Sequence, residues 1–147
     1  MPKYRLALFG ILIALLIVGC NSESPTYPAM GTVVYKDTGE PITTGLTIWF
    51  ESTTAPYQRS SGVVDKEGQF YTSTISDGSG SLAGEHRVRF DPGTGEGAAT
   101  GPDALAPIMD RKYAEFSTSG LKVTVDPGAK NLFRLEVERG SQFRAAK

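Results

Sequence analysis

Cysteine and histidine are almost missing from these 147 residues, which hold one of each. A single cysteine cannot close an internal disulfide, and a structural zinc site draws on several Cys or His ligands, so neither staple is expected. One histidine also leaves little for metal chemistry or for a Ser-His-Asp triad. Neither sign of charge is in excess: 15 Lys and Arg stand against 16 Asp and Glu, a formal net charge of -1. That excludes the basic footprint of a nucleic-acid binder and the composition of an acidic disordered tail. Long amphipathic helical repeats are absent as well, whereas 17 glycines and 9 prolines supply turns. What is present is one turn-rich domain behind an unusual N-terminus.

Lys3 and Arg5 make a short basic start, and Leu6 to Val18 then runs without a polar or charged side chain. Thirteen helical residues span only ~20 Å, short of the ~30 Å hydrocarbon core of a bilayer. The run fits the apolar region of an export signal better than a membrane span. It ends Leu16-Ile17-Val18-Gly19-Cys20, which resembles the lipobox of bacterial lipoproteins. There the thiol forms a thioether to diacylglycerol, and a small residue before it admits the peptidase. The resemblance implies cleavage between Gly19 and Cys20, a lipid on Cys20, and a membrane-bound, extracytoplasmic protein on the periplasmic side or the cell surface. Stable anchoring takes two or more acyl chains, because each buried CH₂ contributes only ~0.8 kcal/mol. Loss of Lys3 and Arg5 would leave 13 basic against 16 acidic residues, net -3, so the lipid and not a basic patch is expected to hold the membrane. Residues 20–29, with two prolines and small polar side chains, read as a tether; nine residues beyond Cys20 reach at most ~30 Å.

From residue 30 the dominant hydrophobic period is two, not 3.6. Strands are expected over residues 31–36, 46–51, 58–64, 69–74 and 86–91, then around Leu121, Val123 and Val125, and finally around Phe133, Leu135 and Val137. Asp-Thr-Gly at 37–39, Asp-Lys-Glu-Gly at 65–68, Asp77-Gly78 and Asp126-Pro127-Gly128 punctuate them. Seven half-apolar strands predict an all-β, seven-stranded antiparallel sandwich. Residues 92–119 break the rhythm as an insert. Its first part is a glycine-rich loop; its second carries Leu105, Ile108, Met109, Tyr113 and Phe116, with Pro107 against a single regular helix. A turn or two of helix packing back on the sandwich is expected, and residues 139–147 read as a polar C-terminal tail.

Several stretches in this order resemble a known family. Gly31-Thr32-Val33, Gly39-Glu40-Pro41-Ile42, Gly62-Val63-Val64-Asp65-Lys66-Glu67-Gly68-Gln69-Phe70 and Ala83-Gly84-Glu85-His86-Arg87-Val88 resemble the carboxypeptidase regulatory-like domain, a transthyretin-like (prealbumin-like) Greek-key sandwich. His86 stands where that family usually has Tyr. Arg111-Lys112-Tyr113, Thr118-Ser119-Gly120-Leu121 and the last strand look like a version common in short planctomycete lipoproteins. The likeness spans about residues 30–138 and implies a non-catalytic domain, since the zinc-protease domain that accompanies it in carboxypeptidases has no counterpart here.

The chain is therefore not expected to be an enzyme and calls for no cofactor. His86 lacks a nucleophile motif and alternates with Val88 and Phe90, toward the core. Gly93-Thr94-Gly95-Glu96-Gly97-Ala98 is not followed by the helix a dinucleotide site needs. Asp65, Glu67 and Asp77 have a sufficient role as turn formers, so no metal site is expected. The one surface feature to single out is Trp49 with Arg87 and Arg89, which alternation places on an outward face; in transthyretin-like sheets the second and fifth strands are neighbours. Trp and Arg are enriched at binding hot spots. Two occupants are weighed: a protein partner foremost, and a carbohydrate stacked on Trp49, Tyr57 and Tyr71. The insert folding over Trp49 is the plain alternative to either.

Overall fold

The computed structural model describes residues 25–74, 79–93 and 100–140. The expected signal, Cys20, the start of the tether, Asp77-Gly78, most of the glycine-rich loop and residues 141–147 lie outside the described residues. The strands are β1 (Thr26–Tyr27), β2 (Ala29–Tyr35), β3 (Leu46–Ser52), β4 (Arg59–Val64), β5 (Gln69–Tyr71), β6 (Ser81–Leu82), β7 (Gly84–Pro92), β8 (Lys122–Val125) and β9 (Asn131–Val137). A one-turn helix α1 (Pro102–Leu105) and a 3-10 turn (Arg111–Ala114) are the helical pieces among the described residues, and none is long and apolar enough to cross a membrane.

Two sheets carry the fold, one ordered β5-β2-β9 and the other β4-β3-β7-β8. Each strand's alternation aims one row of side chains inward: Ala29 and Val33, Leu46, Ile48 and Phe50, Val88 and Phe90, Leu135 and Val137 form one buried cluster drawn from both sheets. Phe50 of one sheet meets Phe70 and Phe133 of the other edge-on at 5.9 and 6.0 Å. Each such buried side chain contributes about 1.5–3 kcal/mol relative to exposure. The chain is thus all-β, with a core between two open sheets.

Four expectations change. The pairing is not wholly antiparallel: β2 and β9 run parallel through seven register pairs, from Ala29↔Asn131 to Tyr35↔Val137. Parallel neighbours need a crossover, and here the chain supplies one by passing through the second sheet between them. Gly31 makes the close approach feasible, because a Cβ there would collide with the Phe133 carbonyl. The strand expected over 69–74 pairs with β2 only through Tyr71; Ser73 then bridges to Ser61 of β4. That switch of sheets ties the two layers together at one edge, and glycine at 62 leaves room for the Tyr71 carbonyl.

The third change is at the tether, which ends sooner than expected: Thr26–Tyr27 pair with Ser81–Leu82, two short strands the hydrophobic period does not signal. The fourth is at the other terminus, where Arg139 is held rather than loose. Its guanidinium lies 3.7 Å from the Tyr35 ring centroid and pairs with Asp37 and Glu40 at 3.1 and 3.0 Å.

The insert also returns to the body of the molecule. Leu105, Met109, Tyr113 and Ala114 belong to the main core, not to a separate cluster. Asp110 caps the 3-10 turn by accepting from the Lys112 amide at 3.0 Å, and the Tyr113 hydroxyl accepts from the Glu138 amide at 3.1 Å. Ser119 then donates to the Val88 carbonyl. These ties set the path of the residues between them, including Phe116.

Candidate functional site

The outer face of the four-stranded sheet gathers the charged and aromatic side chains. β3 and β7 pair so that Trp49 faces Arg89 and Glu51 faces Arg87, while β4 brings Ser61 opposite Trp49 and Arg59 opposite Glu51. Outward alternation puts all of these on one surface. Phe116, delivered by the insert, lies among them: the guanidinium carbons of Arg59, Arg87 and Arg89 are 5.5, 6.0 and 5.3 Å from its ring centroid. Arg89 also sits 5.4 Å from the centre of the Trp49 ring. One phenyl ring thus receives three cations from two strands, and an indole shares one of them. Each exposed cation–π contact is worth roughly 0.5–1 kcal/mol.

Two carboxylates offset the three guanidiniums. Glu51 accepts from Arg59 Nε at 2.8 Å and from Arg87 at 2.6 Å. Burial pushes the Glu51 carboxyl up, but the hydrogen bonds and charges of Arg59 and Arg87 together outweigh it and hold the group below its ordinary 4.5. Arg89 donates to Asp91 at 2.8 Å and, more loosely, to the Ala114 carbonyl at 3.4 Å. The cluster keeps one positive charge in excess. Two of its donors, Trp49 Nε1 and Arg87 Nε, are buried with no acceptor among the described residues. A buried donor without a partner costs about 1–3 kcal/mol, a local cost of assembling this cluster.

His86 is placed inward, almost wholly buried, with Nε2 donating to the Leu82 carbonyl at 2.8 Å. That bond sets the tautomer and leaves Nδ1 as a buried lone pair without a partner. Desolvation, opposed by the Leu82 bond, lowers its pKa below the ordinary 6.5. Asp65 accepts from the amides of Glu67 and Gln69 at 3.0 and 2.8 Å, which is the work of a turn carboxylate. Among the described residues no three His, Cys, Asp or Glu side chains gather as metal ligands.

The three aromatics considered for sugar stacking do not share a surface. Trp49 is half-buried on the four-stranded sheet, Tyr71 is exposed on the three-stranded sheet, and Tyr57 is exposed on the loop between β3 and β4. Sequence reasoning missed Phe116, Arg59 and Glu51 as parts of the cluster. Glu51 and Arg59 had a signal in the outward alternation of their strands; Phe116 had none, because its position depends on how the insert closes. Comparison with known proteins leaves this geometry to stand by itself: no family model, no curated protein and no solved structure matches the chain.

Proposed function

We propose that this chain is a lipid-anchored, extracytoplasmic lipoprotein whose β-sandwich acts without catalysis, as a binding module of the cell envelope with a protein partner. The observation that carries the binding reading is the convergence of Arg59, Arg87 and Arg89 on Phe116 beside Trp49. Arg and aromatic side chains on a rigid sheet face are the types that dominate protein interfaces. The excess positive charge, three guanidiniums against Glu51 and Asp91, favours a partner that presents carboxylate oxygens. The anchor rests on the basic start, the apolar run and Gly19-Cys20. Placing the one histidine in the core supports the non-catalytic reading.

The finer fold proposed is the transthyretin-like Greek key of the carboxypeptidase regulatory-like family. With the two-residue strands β1 and β6 set aside, seven remain, and the second and fifth of these, β3 and β7, are neighbours. That neighbour relation is the one the resemblance implies.

The test takes the full, lipidated chain beside its Trp49→Ala and Arg89→Glu variants and presents each with fractionated envelope protein and with envelope polysaccharide. The wild type is expected to retain a protein fraction that both variants lose while their thermal unfolding stays cooperative. Equal retention by all three, or retention of polysaccharide alone, would overturn the reading.

A further inference from the structure

The outer face of the three-stranded sheet has a polarity along its strands. Met30 of β2 is in register with Leu132 of β9 on one side and Tyr71 of β5 on the other. One step further along the same face, Thr32 stands between Arg134 and Gln69. In all three strands, then, the outward residue nearer the start of β2 is apolar or aromatic and the next one is polar. Leu132 is 74% exposed and Tyr71 60%, so nothing in the described fold covers them. The row is two strand spacings wide, about 10 Å.

This row lies at the end of the sandwich where the tether joins. Pro28 accepts from the Asn131 amide, next to Leu132, and Ala29 accepts from the Thr72 amide, next to Tyr71. The other side of that end carries a second exposed ring: Tyr57 is 63% exposed on the loop whose Thr54, Ala55 and Pro56 share a shallow cleft with Pro25 and Tyr27. Of the four large exposed apolar or aromatic side chains among the described residues, only Val63 belongs to the far end, paired with Thr47 near the start of β3.

Chain length says what this end meets. Five residue steps separate Cys20 from Pro25, and whatever their path they reach at most about 18 Å. With a lipid on Cys20, the tether end of the domain is therefore its nearest part to the headgroups. Tyr is the side chain favoured where one end is apolar and the other wet.

We propose that the tether end of the sandwich rests on the phospholipid surface, with Leu132, Met30 and Tyr71 in contact at headgroup level as a second, non-covalent hold beside the lipid. This rests on the anchor reading of Cys20. It gives the domain a fixed orientation, with the Arg–Phe116 face standing clear of the bilayer.

The experiment uses the full lipidated chain, whose Cys20 thiol is consumed by the thioether, with a new cysteine from Leu132→Cys, Tyr71→Cys or Val63→Cys labelled with bimane. Each is reconstituted into vesicles of phosphatidylethanolamine and phosphatidylglycerol that contain a headgroup nitroxide. Quenching several-fold stronger at 132 and 71 than at 63 is expected. Equal or absent quenching on a chain whose N-terminal peptide carries the lipid mass would overturn the contact alone. Disulfide-linked dimers through position 132 in the unlabelled Leu132→Cys protein under air oxidation would overturn it too, by showing that a second copy covers the row. An N-terminal peptide without lipid would sink the anchor reading and this inference with it.

Discussion

The two outer faces of this molecule solve the same problem in opposite ways. On the four-stranded sheet, charged and aromatic side chains are held by one another and by a residue from a distant insert. Phe116 sits among three guanidiniums, and Glu51 bridges two of them. On the three-stranded sheet nothing among the described residues returns to cover Leu132 and Tyr71, and their neighbours along the strands are polar. A face built of linked charges is rigid and specific; a face with a small uncovered apolar row is suited to a soft, unspecific surface. The two proposed contacts divide accordingly, a selective one on the linked face and an orienting one on the open row.

The largest effect that would sharpen this comparison lies beneath the covered face. Leu105 and Met109 anchor the insert in the main core with no exposed surface. Leu105→Ala is expected to cost about 2–5 kcal/mol in denaturant unfolding, as cavities in packed cores do. A loss below half a kilocalorie would mean that the insert is an appendage. Next comes Phe116→Ala, which removes the common partner of the three arginines; a loss of about 1–2 kcal/mol is expected from its contacts. The fluorescence of Trp49, the one tryptophan in the chain, should move to longer wavelength as the indole gains water.

Glu51→Gln should cost about 1 kcal/mol at neutral pH, since both arginine partners are partly exposed and screened. The sign of its pH dependence follows from the depressed folded pKa. Stability contributed by Glu51 is complete above 4.5 and is lost as pH falls through the lower folded value. The Gln variant should lack that component of acid sensitivity in a pH series of unfolding curves. His86 adds a separate component at higher pH: its folded pKa lies below 6.5, so its protonation favours the unfolded chain and stability falls as pH drops below that value. The smallest effect belongs to the open face, where Leu132→Ser should change stability by less than about 0.5 kcal/mol. A large loss there would show that the row is structural.

Much of this arrangement was legible in the period-two pattern, and the reasons for the rest are physical. Alternation alone separated Ile48 and Phe50 from Trp49, and Val88 and Phe90 from Arg87 and Arg89, because a strand has only two faces. The β3–β7 pairing that joins Trp49 to Arg89 came from the family resemblance. Pairing between β2 and β9 was not legible: it joins residues a hundred positions apart, and no local signal distinguishes a parallel neighbour from an antiparallel one. Thr26–Tyr27 lie between prolines in a polar stretch, so only their partner at Ser81–Leu82 makes them a strand. Arg139 looked like the start of a polar tail because its ring partner, Tyr35, and its acidic partners, Asp37 and Glu40, lie at the other end of the chain. The place of Phe116 is likewise the sum of several tertiary ties, at Asp110, Tyr113 and Ser119.

The most direct measurement puts a photo-crosslinking side chain at Ser61, opposite Trp49 on the covered face, or at Leu132 on the open one, in cells that make the full chain. A protein adduct from Ser61 that Arg89→Glu abolishes is expected, together with lipid adducts from Leu132. Protein captured only through Leu132, or none through Ser61, would contradict it.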